Sequence, residues 1–364
     1  MFIPYIPLND MKKMLLLLAA ALTFTSVSAQ TALEHKQQSL AKWNIGSAQY
    51  SGITALGGNR YALVSDKEPT DGFFVFRIDQ SAITGDVTNV YMEGFYGNRS
   101  PKVDAMGIST RDCEGIAYVP KTNTVFISGE GDQRILEYDM KGQPTGRELN
   151  VPEIFSSKNI VFNYGFEALC YDTLSHTFWT TTESTLPADG PAASPTKPGV
   201  QNLLRLQAFN DHLQPTAQYA YRMDIGKKED FGKTYVFGVP ELAPLPDGRL
   251  LVLEREANVT AGSMSSTARC KLFVVDPRNA NQIDSHTSMK DINPNHFLDK
   301  KLLADWTTTV QPFRISFANY EGMCLGRTLP DGRQTLILVN DSQGGYRKGP
   351  FHLKDYIKVI VLGN

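Results

Sequence analysis

The stretch DCEGIAYVPKTNTVFISGE, residues 112–130, decides the fold because its two halves return four more times along the chain. The first half is an acid leading a short apolar run, Glu114-Gly115-Ile116-Ala117-Tyr118. It recurs as Glu167-Ala168-Leu169-Cys170-Tyr171, Glu241-Leu242-Ala243-Pro244-Leu245 and Glu321-Gly322-Met323-Cys324-Leu325, with Ser51-Gly52-Ile53-Thr54-Ala55 as a copy whose acid is replaced by serine. The second half is an apolar run that closes on an acid, Phe126-Ile127-Ser128-Gly129-Glu130. Its copies end at Asp66, Glu183, Glu254 and Asp341, 13 to 20 residues after the head of each first half. Between the halves stand turn formers: Gly57-Gly58-Asn59, Pro120-Lys121-Thr122-Asn123, Pro246-Asp247-Gly248 and Pro330-Asp331-Gly332. Strand, tight turn, strand is hairpin chemistry.

Third strands follow at residues 73–78, 135–138 and 272–276, and fourth strands are expected at 88–92 and 217–223. Strand after strand with almost no helical period makes an all-β protein. Repeated units of about four antiparallel strands on one chain predict a β-propeller, since each blade buries its faces against its neighbours. Five repeats are visible, and a sixth blade that has lost its signature stays open. A strand near residues 40–45 is expected to close the ring as the outer strand of the last blade. The 74 and 80 residues separating Glu167, Glu241 and Glu321 exceed a compact blade, and loops at 187–199 and 258–266 take up part of the excess.

The N-terminus reads as an export signal. Lys12 and Lys13 precede the apolar run MLLLLAAAL at 14–22, and Ser26-Val27-Ser28-Ala29 supplies small residues for cleavage. Residues 1–29 are therefore expected to be removed, leaving 30–364 as a single domain in the periplasm or outside the cell. No run reaches the roughly 18 apolar residues of a membrane span. Lys plus Arg (36) nearly balance Asp plus Glu (38), which argues against nucleic acid as a partner. Cys113, Cys170, Cys270 and Cys324 lie far apart, three of them in apolar strand-like runs, so buried free thiols are expected although an exported chain permits disulfides.

In a propeller the first strand of each blade lines the central channel, so Glu114, Glu167, Glu241 and Glu321 are expected to converge there. Several carboxylates stay ionised together only when a cation neutralises them or some take protons. An oxygen-only set suits a divalent metal such as Ca²⁺, whereas the six histidines fall at no zinc spacing. The structural alternative is that these acids accept backbone N–H groups or pair with arginines of the next blade. No nucleophile elbow and no phosphate-cradling glycine loop is present.

The series Asp112-Cys113-Glu114-Gly115-Ile116-Ala117, Ser128-Gly129-Glu130, Asn163-Tyr164-Gly165-Phe166-Glu167, Thr182-Glu183, Leu253-Glu254-Arg255 and Asn319-Tyr320-Glu321-Gly322 resembles the phytase-like family, described as "esterase-like activity of phytase". The resemblance runs from about Ser51 to the C-terminus. It implies an exported propeller that hydrolyses phosphate or other esters. In that reading Glu114, Glu167, Glu241 and Glu321 hold Ca²⁺, Glu130 or Glu183 accepts the proton of water, and Arg111, Arg255 or Lys67 neutralises developing charge. The partner is then a small ester or phosphoester. The competing expectation is a non-catalytic propeller that binds a glycan, peptide or protein on its loop face.

Overall fold

The computed structural model describes residues 32–66, 68–97, 103, 110–197, 199–227, 234–260, 263–311, 314–348 and 351–363. Residues 1–29, expected to be an export signal, and Lys67 lie outside the described residues. The chain forms five blades, each a sheet of antiparallel strands running from the channel outward. The inner strands are Tyr50–Gly57, Cys113–Val119, Phe166–Asp172, Thr234–Pro244 and Asn319–Thr328, in blades 1 to 5. They pack on one another in that order, and the fifth returns to the first, which closes the ring. The sixth blade left open by the sequence is not needed.

Closure uses the N-terminus, but earlier than residues 40–45. Ala32–Glu34 pairs with Tyr356–Leu362 of blade 5 in the register Ala32↔Leu362, and Gln38–Ser39 adds two more residues to the same edge. Leu40–Trp43 is instead a 3₁₀ turn that buries Leu40 and ends at Asn44 with φ of 60°. The fourth strands expected at 88–92 and 217–223 are Val87–Gly97 and Pro215–Arg222. The excess length of blade 4 lies mainly in residues 276–299, which cross back so that Gln282–Ile283 pairs with the outer strand of blade 3. Asn258 belongs to the strand Leu250–Val259, so the loop expected from 258 starts later.

The cores lie between blades. Val64 and Phe73 of blade 1 pack with Ile127 and Tyr138 of blade 2, and Phe126 of blade 2 meets Phe178 of blade 3 with ring centroids 4.7 Å apart. Trp179 and Tyr221 join Phe237 and Val252 between blades 3 and 4, Leu272 and Trp306 join Tyr320 and Ile360 between blades 4 and 5, and Ile337 and Val359 join Tyr61 and Phe76 at the closure. Every blade thus buries apolar surface on both faces, at about 25 cal/mol per Å² removed from water. Around the channel the inner strands approach too closely for side chains. A Cβ on Gly115 would stand 2.7 Å from Leu169 N, and one on Gly322 would stand 3.1 Å from the Gly52 Cα. The glycine after the acid in two of the repeats, and after Ser51 in a third, is therefore a packing requirement. All four cysteines are buried and free. No helix among the described residues is long and apolar enough to cross a membrane.

Candidate functional site

Each inner strand carries one more residue than its partner near its start. The shift falls between Tyr50 and Gly52, Cys113 and Ile116, Phe166 and Leu169, Gly238 and Glu241, and Tyr320 and Gly322. A bulge of this kind releases a residue from the ladder and re-aims its side chain. Four of the five bulges hold Ser51, Glu114, Glu167 and Glu321, so the repeat seen in the sequence is a repeat of bulges.

Blade 4 differs. Its bulge contains Val239 and Pro240, a residue with no N–H to give the ladder, and Glu241 is already back in register opposite Leu253. The glutamate aligned by sequence is displaced from the position of Glu114, Glu167 and Glu321. Glu241 Oε1 accepts the N–H groups of Leu169 at 3.2 Å and Leu242 at 3.0 Å, and burial pushes its pKa well above the carboxyl range. It stitches blade 4 to blade 3 inside the channel and is not among the residues lining the acidic cavity.

That cavity, about 220 Å³, opens at the end of the channel where the inner strands begin. Asp66, Glu114, Glu130, Glu167, Glu183, Glu321 and Asp341 line it, with Arg255 as the one cationic side chain among the described lining residues. Arg255 donates to Glu183 and lies 3.7 Å from Glu321. The Glu130 carboxylate accepts the N–H of Gly165 at 2.8 Å, and Asn319 donates to Glu321 at 2.6 Å. Burial raises the pKa of Glu114, Glu167 and Glu321 well above the usual range, and neighbouring carboxylates raise each further: Asp66 and Glu130 act on Glu114, Glu114 and Glu183 on Glu167, and Asp341 on Glu321. Arg255 opposes the rise for Glu321 and for Glu183.

Two triads, Asp66–Asp112–Glu114 and Glu114–Glu130–Glu167, bring one carboxylate oxygen from each residue within 4.8 Å of the others, and Glu114 belongs to both. All the donors are hard oxygens from rigid strand ends, and like charges are crowded where water is scarce. This donor set fits a divalent cation of the Ca²⁺ type.

The remaining expectations divide. Glu130 and Glu183 stand in the cavity wall. Arg111 does not: Asp112 turns the chain with φ of 52°, and the Arg111 guanidinium lies behind the channel, donating to the carbonyls of Ile127 and Arg134 and resting 6.0 Å from the Tyr138 ring centroid. Glu254 faces outward, accepting Tyr221 Oη–H at 2.7 Å and Lys300 Nζ–H at 2.5 Å. Sequence reasoning gave no site role to Asp112, Asn163, Tyr164 or Gln343, although Asp112 and Asn163-Tyr164 stand in the motifs that carry the resemblance, directly upstream of the acids singled out. A larger cavity of about 350 Å³ opens at the opposite mouth, but its walls are mainly apolar, among them Ile53, Leu169, Leu242 and Met323. It holds none of the acidic cluster.

Five antiparallel blades and a carboxylate-lined channel mouth define a five-bladed β-propeller with a candidate cation-dependent site. The chain belongs to the phytase-like family, described as "Esterase-like activity of phytase", whose model matches residues 45–343. No curated protein matches it at a significant level. Among solved structures it is similar to the endo-arabinase from Bacteroides thetaiotaomicron VPI-5482, at 11% identity over 86% of this chain and 94% of that one with a TM-score of 0.41. It is similar also to the periplasmic gluconolactonase PpgL of Pseudomonas aeruginosa, at 12% identity over 84% of both chains with a TM-score of 0.34.

Proposed function

We propose that this protein is an exported ester hydrolase, acting on phosphate or carboxylic esters with the help of a divalent cation, Ca²⁺, at the acidic end of the channel. The observation that carries the reading is the pair of carboxylate triads sharing Glu114, all their members buried except the half-buried Asp112. Membership of a family described by esterase-like activity supports the same class of chemistry, and the Lys12-Lys13 run with its apolar continuation supports export.

Asp66, Asp112, Glu114 and Glu167 would hold the cation, which when bound would supply Lewis acidity toward an ester oxygen and toward water. Arg255, fixed by Glu183, places a permanent positive charge on the wall and steadies negative charge that grows on the substrate. Glu130 is oriented by the Gly165 N–H, and in this scheme its carboxylate takes the proton of attacking water. Tyr164 and Asn319 supply hydrogen-bonding groups beside the acids. Closely packed inner strands keep bulk water from entering through the walls.

The test is hydrolysis of an aryl phosphate, phytate and an aryl carboxylic ester by the purified protein, with Ca²⁺ and with chelator. Turnover of any of them that chelator abolishes and Ca²⁺ restores, in a protein that stays folded, supports the reading. Failure of all three under both conditions overturns it.

A further inference from the structure

The acidic cavity is too small to enclose most esters. About 220 Å³ accommodates one polar head group and its ligands, whereas sites that engulf a whole organic ligand run from about 300 to 1,000 Å³. The rest of any substrate must therefore lie across the mouth.

One wall of that mouth is the segment entering blade 3, and its two ends are anchored. On one side Phe155 is fully buried against Phe166, with ring centroids 5.3 Å apart, and the Asn159 side chain donates to Glu153 O at 2.8 Å. On the other side Tyr164 N–H donates to Val161 O at 3.1 Å, and Gly165 N–H is held by Glu130. Asn163, with φ of 62°, and Tyr164 line the cavity itself. The residue immediately before them, Phe162, is 91% exposed, and Val161 is 44% exposed. A phenyl ring held in water on an anchored turn contributes nothing to the core, and it stands one residue before Asn163 of the cavity wall.

We infer that Phe162, with Val161, is the apolar subsite of the acidic centre, and that the substrates are esters with one small polar head and an alkyl or aryl arm that lies on this ring. The inference rests on the hydrolase reading, since it needs a head group in the cavity. The lining agrees with it: seven carboxylates against one guanidinium among the described residues oppose a polyanion more than a head of low charge. Phe162 and Val161 are specificity residues here, distinct from the groups that hold the cation.

The test is calorimetric binding of methylphosphonate and octylphosphonate, which cannot be hydrolysed, to the intact protein with Ca²⁺ present. Wild type is expected to bind the octyl compound at least about tenfold tighter, since each methylene laid on an apolar surface adds affinity. In Phe162→Ala that ratio falls below about threefold while methylphosphonate affinity holds within about twofold, and Phe162→Leu keeps most of the preference. Equal binding of the two compounds by wild type, or a preference that survives Phe162→Ala, overturns the inference and leaves the hydrolase reading standing. If neither phosphonate binds, this inference falls, while the hydrolase reading stands or falls on the separate hydrolysis test of the three esters.

Discussion

Arg255 Nη2, on blade 4, lies 3.7 Å from the Glu321 carboxylate of blade 5 while donating to Glu183 of blade 3, so one guanidinium ties three blades at the channel mouth. Its register partner is Gly238, whose missing side chain leaves space where a Cβ would meet Glu183. Arg255→Met leaves the buried Glu183 and the half-buried Glu321 without this cation. The expected loss is about 3 kcal/mol in folding stability. Denaturant unfolding with chelator measures it, and added Ca²⁺ should return part of the loss, because a second positive charge at the same acids can replace the first.

Glu114 and Glu241 separate a proposed cation ligand from a stitch between blades. Glu114→Gln removes the carboxylate common to both triads and should lower Ca²⁺ affinity and any hydrolytic rate by at least about 100-fold, with the fold kept. Glu241→Gln keeps an oxygen for the N–H groups of Leu169 and Leu242. It should change stability by less than about 1 kcal/mol and activity by less than about threefold. Calcium titration calorimetry with circular dichroism on both variants decides.

The pH dependence follows from the raised carboxyls. Glu114, Glu167 and Glu321 keep protons in the folded chain that the unfolded chain releases above the usual value of 4.5. The folded state then binds more protons than the unfolded state, so without metal the stability falls as pH rises through this window. On the proposed reading, Ca²⁺ would bind in competition with those protons. Its stabilising effect should therefore grow from about pH 5 to about pH 8, read as the difference in Tm with Ca²⁺ and with chelator. A shift that shrinks over this range contradicts the assignment.

Gly115→Ala tests the close packing of the inner strands. The added methyl group would meet Leu169 N at 2.7 Å, and backbone cannot step aside as a flexible side chain does. The expected cost is about 2 kcal/mol, while Gly58→Ala meets nothing within 4 Å and should lose only what its φ of 62° imposes. Chemical denaturation of the pair distinguishes ring packing from turn geometry.

The all-β class, the blade unit, the five repeats and three of the four aligned glutamates were legible in the sequence because hairpins are local. A strand, a turn of Pro-Asp-Gly or Pro-Lys-Thr-Asn and a return strand leave their signature within about 20 residues. The acid heads Glu114, Glu167 and Glu321 were legible for the same reason, since each begins its own hairpin. The glycines behind Glu114 and Glu321 also stood in the repeat, although only the ring of strands explains them.

What the sequence by itself determined is thus the strand-turn-strand unit and where acids stand along it. Only the tertiary structure decided which acids meet. Blade 4 shows why: the bulge at Val239-Pro240 moves Glu241 back into the ladder, a shift that depends on pairing with residues 253–255 and not on local composition. Arg111 and Arg255 are both basic neighbours of the repeat, yet one turns behind the channel to carbonyls of its own blade and the other enters the cavity. Closure by Ala32–Glu34 pairs residues more than 300 positions apart, and no short-range pattern specifies such a register. Convergence at the channel is a property of five hairpins packed in a ring, where side chains distant in sequence share one desolvated space and shift each other's protonation.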